Sequence, residues 1–97
     1  MNQKKSKIAK SRYYVYIVEC SDNTLYTGYT KDLDKRIDSH NTGKGAKYTS
    51  GRAPVKLRWF RIYNTLSKAL REEYRIKKLS RIEKMKLLER KIGLTAK

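Results

Sequence analysis

The alternation of apolar and polar positions predicts three β-strands in this chain. Tyr13 to Cys20 is β-branched and aromatic, and Leu25 to Thr30 repeats that pattern after the turn residues Ser21-Asp22-Asn23-Thr24. These two segments predict a β-hairpin. Val55 to Tyr63 carries further large apolar side chains and predicts a third strand.

Three helices are predicted from the 3.6-residue period and from capping residues. The first begins after the cap Asp32 and ends at about Asn41, and the second begins after Asn64 or Thr65 and ends at about Leu79. The third opens at the capping box Ser80-Arg81-Ile82-Glu83 and stops at Gly93. We expect its inward side to carry Ile82, Met85, Leu88 and Ile92.

The first helix places an arginine and a histidine beside its apolar stripe. Leu33 and Ile37 define that stripe, and Arg36 and His40 lie on the same side. A cationic and a titratable side chain are unusual neighbours for a core. The alternatives are a core-edge histidine bonded to backbone and an arginine that extends along the surface to water.

The second helix contains an acid where an apolar residue is expected. Its apolar arc consists of Leu66, Ala69, Leu70 and Ile76, and Glu73 sits in the centre of that arc, whereas Glu72 lies off it. A carboxylate there is costly unless it is paired, hydrogen-bonded or bound to a metal. A metal ligand and a buried ion pair with an arginine are equally consistent with this pattern.

The hairpin places one tyrosine of interest on each strand. Tyr16 and Tyr26 share a face if the turn has an odd number of loop residues, and an even number puts them on opposite faces. The sequence leaves this register open. It also leaves open that both are core aromatics with the hydroxyl at the surface.

The net charge of the chain narrows the class of molecule that it could bind. The 97 residues suffice for one domain and carry a formal net charge of +16, which favours a polyanionic partner. Nucleic acid comes first, an anionic membrane surface second, and a purely solubilising excess is the third alternative. The loop Gly43 to Pro54 lacks Walker A spacing, but it carries glycines and candidate phosphate-binding side chains, namely Lys44, Lys47, Tyr48 and Arg52.

The ends of the chain and its cysteine content complete the domain prediction. Residues 1–12 predict a flexible basic arm without the apolar core of a signal peptide, residues 13–92 a single domain, and residues 93–97 a tail. The lone Cys20 excludes an internal disulfide and a Cys/His zinc set, which fits the cytoplasm. No apolar run approaches a membrane span, and no obligate protein partner can be inferred.

Several of these segments together resemble the GIY-YIG nuclease superfamily. Tyr14-Val15-Tyr16 and Tyr26-Thr27-Gly28 resemble its two signature strands, although Tyr14 stands where the family has glycine. The resemblance continues through Tyr14 to Ser80 and is strongest to small standalone bacterial members. The other matching segments are Leu33-x-x-Arg36-x-x-x-His40-Asn41, Lys47-Tyr48-Thr49, Gly51-Arg52-x-Pro54-Val55 and Ala69-Leu70-x-x-Glu73-x-x-Ile76-Lys77.

The resemblance implies an α+β fold, with a three-stranded antiparallel sheet flanked by about three helices. It implies a metal-dependent endonuclease in which Glu73 holds a single Mg²⁺ or Mn²⁺. Tyr16 is then the general base or orients the nucleophilic water. As a base it needs a pKa lowered from about 10, and the cations Arg36 and Lys77 would supply that effect.

In the same scheme Arg36 clamps the phosphate, Tyr26 bonds a phosphate oxygen or positions the water, and His40 shares the proton transfer or orients Tyr16. DNA is favoured over RNA as the nucleic acid. The competing hypothesis is a nucleic-acid-binding module, RNA- or ribosome-associated, that kept the fold without efficient catalysis.

Overall fold

The structure, a computed structural model, describes residues 12–89 and confirms the α+β fold class. Three strands and three helices occur in the order that the sequence predicts, with one additional 3₁₀ turn in the basic loop. In chain order the elements are β1 (Tyr13–Glu19), β2 (Leu25–Thr30), α1 (Leu33–Asn41), the 3₁₀ turn (Lys47–Thr49), β3 (Lys56–Tyr63), α2 (Leu66–Lys77) and α3 (Arg81–Glu89). The tail at residues 93–97 and nearly all of the N-terminal arm lie outside the described residues.

The sheet has the order β2-β1-β3, and both strand pairs are antiparallel. Pairing of Glu19 with Leu25 leaves the loop Cys20 to Thr24, which has an odd number of residues. Asn23 adopts a left-handed φ of 70°, as its short polar side chain allows. The sequence had left this register open, and the structure decides it.

Alternate residues of β1 enter two separate cores, one on each face of the sheet. Val15 and Ile17 face α2 and α3, where they pack with Trp59, Ala69, Ile76 and Leu88. Tyr16 and Val18 face α1, where they pack with Cys20, Val55, Leu33, Ile37 and Phe60. All four of these β1 side chains have no solvent exposure, so the central strand is covered on both faces.

The helix starts follow the capping chemistry that the sequence predicts. The side chain of Asp32 accepts from the backbone N–H of Lys35 at 3.2 Å, and that of Thr65 accepts from Lys68 at 3.1 Å. In the capping box, Ser80 N–H donates to the Glu83 carboxylate at 2.8 Å and Glu83 N–H donates to Ser80 Oγ at 3.1 Å. Local hydrogen bonds therefore fix where α1, α2 and α3 begin.

The predicted apolar faces are only partly correct. Ile82 is 70% exposed, because α3 meets the core through Leu88, Met85 and Leu87 rather than through its first turn. Leu66 and Leu70 are also exposed, since α2 presents Ala69 and Ile76 to the sheet. The ends of the predicted third helix, Ile92 and Gly93, lie outside the described residues.

The helical pattern places Glu72 off the apolar arc of α2, but the structure shows that Glu72 is half-buried. Its carboxylate accepts from Arg75 Nε at 3.0 Å.

Between residues 12 and 89, no helix is long and apolar enough to cross a membrane.

A matched pair of isoleucines tests the packing. We expect Ile76→Ala to lower the free energy of unfolding by about 2–5 kcal/mol, because Ile76 is fully buried. Ile82→Ala shares the side-chain change and the helical context, and is expected to cost less than about 0.5 kcal/mol. Urea unfolding measures both, and equal losses would show that Ile82 is packed as the sequence pattern suggests.

Candidate active site

The candidate site is built around Tyr16, a fully buried tyrosine of the central strand. Its hydroxyl lies 2.9 Å from Nε2 of His40, which is equally buried in the last turn of α1. Tyr16 pairs with Gly28 across the sheet, and Tyr26 pairs with Val18, so the two tyrosines lie diagonally on one face. Strand register and α1 therefore bring together three residues that the sequence proposed for the site.

Two glycines make room for this pair. A Cβ on Gly28 would stand 2.6 Å from the Tyr16 hydroxyl oxygen and 2.9 Å from its Cζ, so the tyrosine ring occupies the space above that glycine. A Cβ on Gly45 would overlap His40 Nδ1. Close approach of the backbone, rather than an unusual φ, is the reason for glycine at both positions.

His40 has a hydrogen-bond partner at each ring nitrogen. Its Nδ1 lies 2.7 Å from Oγ1 of Thr49, a fully buried residue of the 3₁₀ turn. Burial lowers the pKa of His40 below its usual 6.5, and the positive charge of Arg36 lowers it further. The imidazole is therefore neutral at pH 7 and can accept a proton.

Arg36 reaches the same phenol oxygen from one turn earlier in α1. Its Nε donates to the Tyr16 hydroxyl at 3.4 Å, which is a long hydrogen bond. Burial raises the pKa of Tyr16 from 10.0 to about 12, although Arg36 opposes this shift, while Tyr26 and Glu73 add to it. The expected lowering of this pKa is wrong for the protein alone, because desolvation of the phenolate outweighs the cation.

Tyr26 connects the buried pair to the loop. Its ring packs edge-on against His40 at 5.4 Å between centroids and stacks on Tyr48 at 5.6 Å. The guanidinium of Arg52 lies over the Tyr48 ring at 4.4 Å and also pairs with Asp22 at 2.5 Å. Arg52, proposed from the sequence for nucleic-acid binding, thus has two partners within the protein.

The side chain of Asn41 holds the loop against α1 by forming hydrogen bonds with both backbone groups of Val55. Val55 N–H donates to Oδ1 of Asn41 at 2.6 Å, and Nδ2 of Asn41 donates to the Val55 carbonyl at 3.4 Å. Lys44 and Lys47 remain exposed on the loop between these anchors. They are available to a polyanion without further rearrangement.

Glu73 is the carboxylate whose charge acts on Tyr16. Its side chain is 15% exposed and lies 3.2 Å from Nζ of Lys77. Lys77 therefore contacts the carboxylate rather than the phenol, and the alternative of a buried arginine pair for Glu73 is not what the structure shows. Helix α2 packs against both β1 and β2, which brings this acid to the strands of the tyrosines.

The donor set at Glu73 limits which metal could bind. Among residues 12–89 no group of three or more His, Cys, Asp and Glu side chains is arranged to hold a metal. A single carboxylate excludes a closed zinc cage but fits Mg²⁺ or Mn²⁺, which keep several waters and take remaining ligands from substrate phosphates. The residues present thus fit a hard cation held jointly by Glu73 and substrate.

Sequence reasoning missed several residues around this site. The polar side chain of Thr49 gives no sign in the sequence that it is buried against His40. Arg81 and Lys84 of α3 lie with Tyr48 around a cavity of about 200 Å³. Burial and the charge of Lys77 lower the pKa of Lys84, a crowding of cations that only the packing of α3 creates.

Comparison with known proteins agrees with this geometry. The family model described as the GIY-YIG catalytic domain matches residues 12–86. The chain belongs to the GIY-YIG family. A UPF0213 protein of Oceanobacillus iheyensis is 53% identical over 78 residues, covering 80% of this chain and 91% of that protein. One from Halobacterium salinarum is 56% identical over 72 residues, covering 74% and 94%.

Two solution structures share the GIY-YIG fold of this chain. The UPF0213 protein BH0048 from Bacillus halodurans has a TM-score of 0.56 and 49% identity, covering 82% of this chain and 85% of that one. Protein EF2693 from E. faecalis has a TM-score of 0.58 and 38% identity with the same coverage. The family match supports the nuclease type of the domain and leaves its substrate and metal to be proposed.

The burial of His40 predicts a pH dependence of stability. Because its folded pKa lies below 6.5, the unfolded chain takes up a proton first as pH falls. This contribution to stability is therefore complete above about pH 6.5 and is lost below it, by at most about 1.4 kcal/mol per pH unit. Urea unfolding between pH 7.5 and 5 measures the slope.

The variant His40→Gln is the control for this slope, since a glutamine side chain at position 40 does not titrate. Asp22 and Glu72, whose pKa values are lowered from 3.8 and 4.5, titrate below the window. A wild-type stability that rises from pH 7.5 to 5 would mean that folded His40 is protonated.

Proposed function

We propose that this protein is a divalent-metal-dependent endonuclease that hydrolyses phosphodiester bonds, with DNA as its substrate. The observation that supports this best is the buried Tyr16–His40 hydrogen bond, with Arg36 on the same phenol oxygen and the charge of the Glu73 carboxylate acting on it. A proton acceptor and a phosphate-binding cation thus share one phenol oxygen, and a candidate metal ligand lies within electrostatic reach. Phosphodiester hydrolysis needs these three elements.

Proton transfer runs through Tyr16 to His40. The pKa of about 12 keeps the phenol protonated at neutral pH, so Tyr16 does not act as a free phenolate. Tyr16 is fully buried in the protein alone, so substrate binding must open its phenol oxygen to the attacking water. That water then gives its proton to the Tyr16 oxygen while the phenol proton passes to Nε2 of His40. The histidine is neutral before the step and charged after it, and Tyr16 is unchanged.

Arg36 and Tyr26 position the phosphate. Arg36 is half-buried, and its long hydrogen bond to Tyr16 leaves guanidinium donors for a phosphate oxygen. Tyr26 lies beside the pair, between His40 and the loop. In the step, water bonds to phosphorus as the bond to the leaving oxygen breaks, and that oxygen departs as an anion that solvent protonates.

Glu73 is the residue that would hold Mg²⁺ or Mn²⁺. A cation held there would supply positive charge against the phosphate and the leaving oxygen. Lys77 occupies the carboxylate in the protein alone and must move aside. Its charge then remains next to the substrate.

Phosphate contacts supply the affinity. Lys44 and Lys47 on the loop, together with Lys77, present cations around the site, and Tyr48 is 41% exposed on the same loop. Such contacts carry little sequence information. We therefore expect discrimination by nucleic-acid structure rather than by base sequence.

A second function is favoured by two specific observations. The Glu73 carboxylate is paired with Lys77, and the pKa of Tyr16 is raised rather than lowered. Both features suit a nucleic-acid-binding module that does not cleave. The metal dependence of cleavage separates the two functions.

Adjacent glutamates provide the decisive experiment. We expect Glu73→Ala to abolish cleavage in Mg²⁺ or Mn²⁺, because it removes the metal ligand. Glu72→Ala removes an acid of the same helix that is likewise half-buried but paired with Arg75, and is expected to retain activity. Labelled duplex, single-stranded, flap and branched DNAs and an RNA form the panel.

Either of two results contradicts the nuclease proposal. Equal activity of Glu73→Ala and wild type would remove the metal role from Glu73. Salt-sensitive binding without cleavage by the wild type would favour the binding module.

The tyrosine hydroxyl is tested separately. Tyr16→Phe keeps the buried ring but cannot relay a proton, so we expect a loss of cleavage of about 10²-fold or more with little change in DNA binding. Tyr14→Phe makes the same change on β1 at a tyrosine that packs against Phe60. Comparable rates for these two variants would exclude the relay.

A further inference from the structure

The environment of Thr49 determines which nitrogen of His40 carries its proton. The Thr49 hydroxyl lies 3.0 Å from the carbonyl oxygen of Ala46 and 2.7 Å from Nδ1 of His40. A carbonyl oxygen can only accept, and a hydroxyl has a single proton. If that proton goes to Ala46, Nδ1 must be the donor in its contact with Thr49.

The other end of the ring requires the same arrangement. The Tyr16 hydroxyl contacts His40 Nε2 and Arg36 Nε, and Arg36 can only donate. If Nε2 also donated, the buried phenol proton would have no acceptor among the contacts that the structure describes. A buried donor without a partner costs about 1–3 kcal/mol, so the phenol donates to an unprotonated Nε2.

We propose that Thr49 is a positioning residue that holds His40 in the Nδ1–H tautomer, so that Nε2 faces Tyr16 as a proton acceptor. The direction of donation then runs from Tyr16 to Nε2, and from Nδ1 through the Thr49 hydroxyl to the Ala46 carbonyl. Thr49 touches neither phosphate nor metal in this scheme. The tautomer itself follows from the hydrogen bonds alone, whereas its effect on cleavage rests on the proposed nuclease function.

The loop is built to keep this contact. Thr49 is fully buried, and its own N–H also bonds to Ala46 at 3.1 Å, which closes the 3₁₀ turn around that carbonyl. Gly45 lets the backbone press against the Nδ1 side of the ring. The loop is thus more than a flexible phosphate-binding segment, because it supplies the second partner of a buried histidine.

His40 is the only histidine of the chain, so its ring nitrogens can be observed without ambiguity. Long-range ¹H–¹⁵N correlation at pH 7.5 on the full-length wild type distinguishes the protonated from the unprotonated nitrogen. We expect a protonated Nδ1 and an unprotonated Nε2. The opposite pattern overturns the proposal, whether or not the protein cleaves DNA.

Three variants identify which neighbour fixes the tautomer. Thr49→Val keeps the shape but removes the hydroxyl, and is expected to raise the fraction of the Nε2–H form above that of the wild type, because only Tyr16 then opposes it. Thr49→Ser restores the hydroxyl and is expected to restore the wild-type pattern. Tyr16→Phe is expected to leave Nδ1 protonated, and a switch in this variant instead would assign the control to Tyr16.

The kinetic arm uses the DNA that the wild type cleaves. We expect kcat of Thr49→Val to fall at least about tenfold with KM unchanged, because an oriented proton acceptor contributes on the order of 10²–10⁴ to rate. Thr49→Ser is expected to remain within about threefold of wild type. A Thr49→Val kcat equal to wild type overturns the positioning role.

The two proposals fail in different ways. No cleavage by any protein, with Nδ1–H observed in the wild type, contradicts the nuclease function while supporting the tautomer. Cleavage by the wild type with Nε2–H observed does the reverse. Amide spectra establish that each variant is folded, and the wild-type tautomer provides a test that needs no variant.

Discussion

The hydrogen bond between Tyr16 and His40 is the interaction on which the site depends. It joins the central strand to α1 in the fully buried interior of one face, where both side chains have lost their water. Each polar atom must therefore be satisfied by protein: Arg36 of α1 and Thr49 of the loop supply the further partners, and Gly28 of β2 leaves room for the tyrosine ring. The candidate site is therefore part of the core between the sheet and α1.

That burial sets the proton chemistry. Desolvation moves the phenol and the imidazole in opposite directions on the pH scale, because it disfavours the phenolate and the imidazolium alike. Both groups are neutral at pH 7 as a result. A neutral donor beside a neutral acceptor can relay a proton. This arrangement does not provide a permanently charged base.

Charge acts at longer range. The net charge of +16 opposes folding, and several cations are paired within the protein, among them Arg52 with Asp22 and Lys77 with Glu73. Lys77 and Lys84 instead repel each other, because these two positive charges lie close together where α2 meets α3. A polyanion would relieve that repulsion, which ties the chain's composition to a nucleic-acid partner.

The sequence by itself determined the elements and the caps, and it marked Glu73 as an anomaly. Strand alternation, the Asp32, Thr65 and Ser80 caps and the anomalous Glu73 depend on local hydrogen bonds and side-chain period, which neighbouring residues decide. The tertiary structure alone decided the hairpin register, the exposure of Ile82, the upward shift of the Tyr16 pKa and the partnership of Thr49 with His40. These depend on which elements meet and how much water they exclude, and no local pattern encodes that.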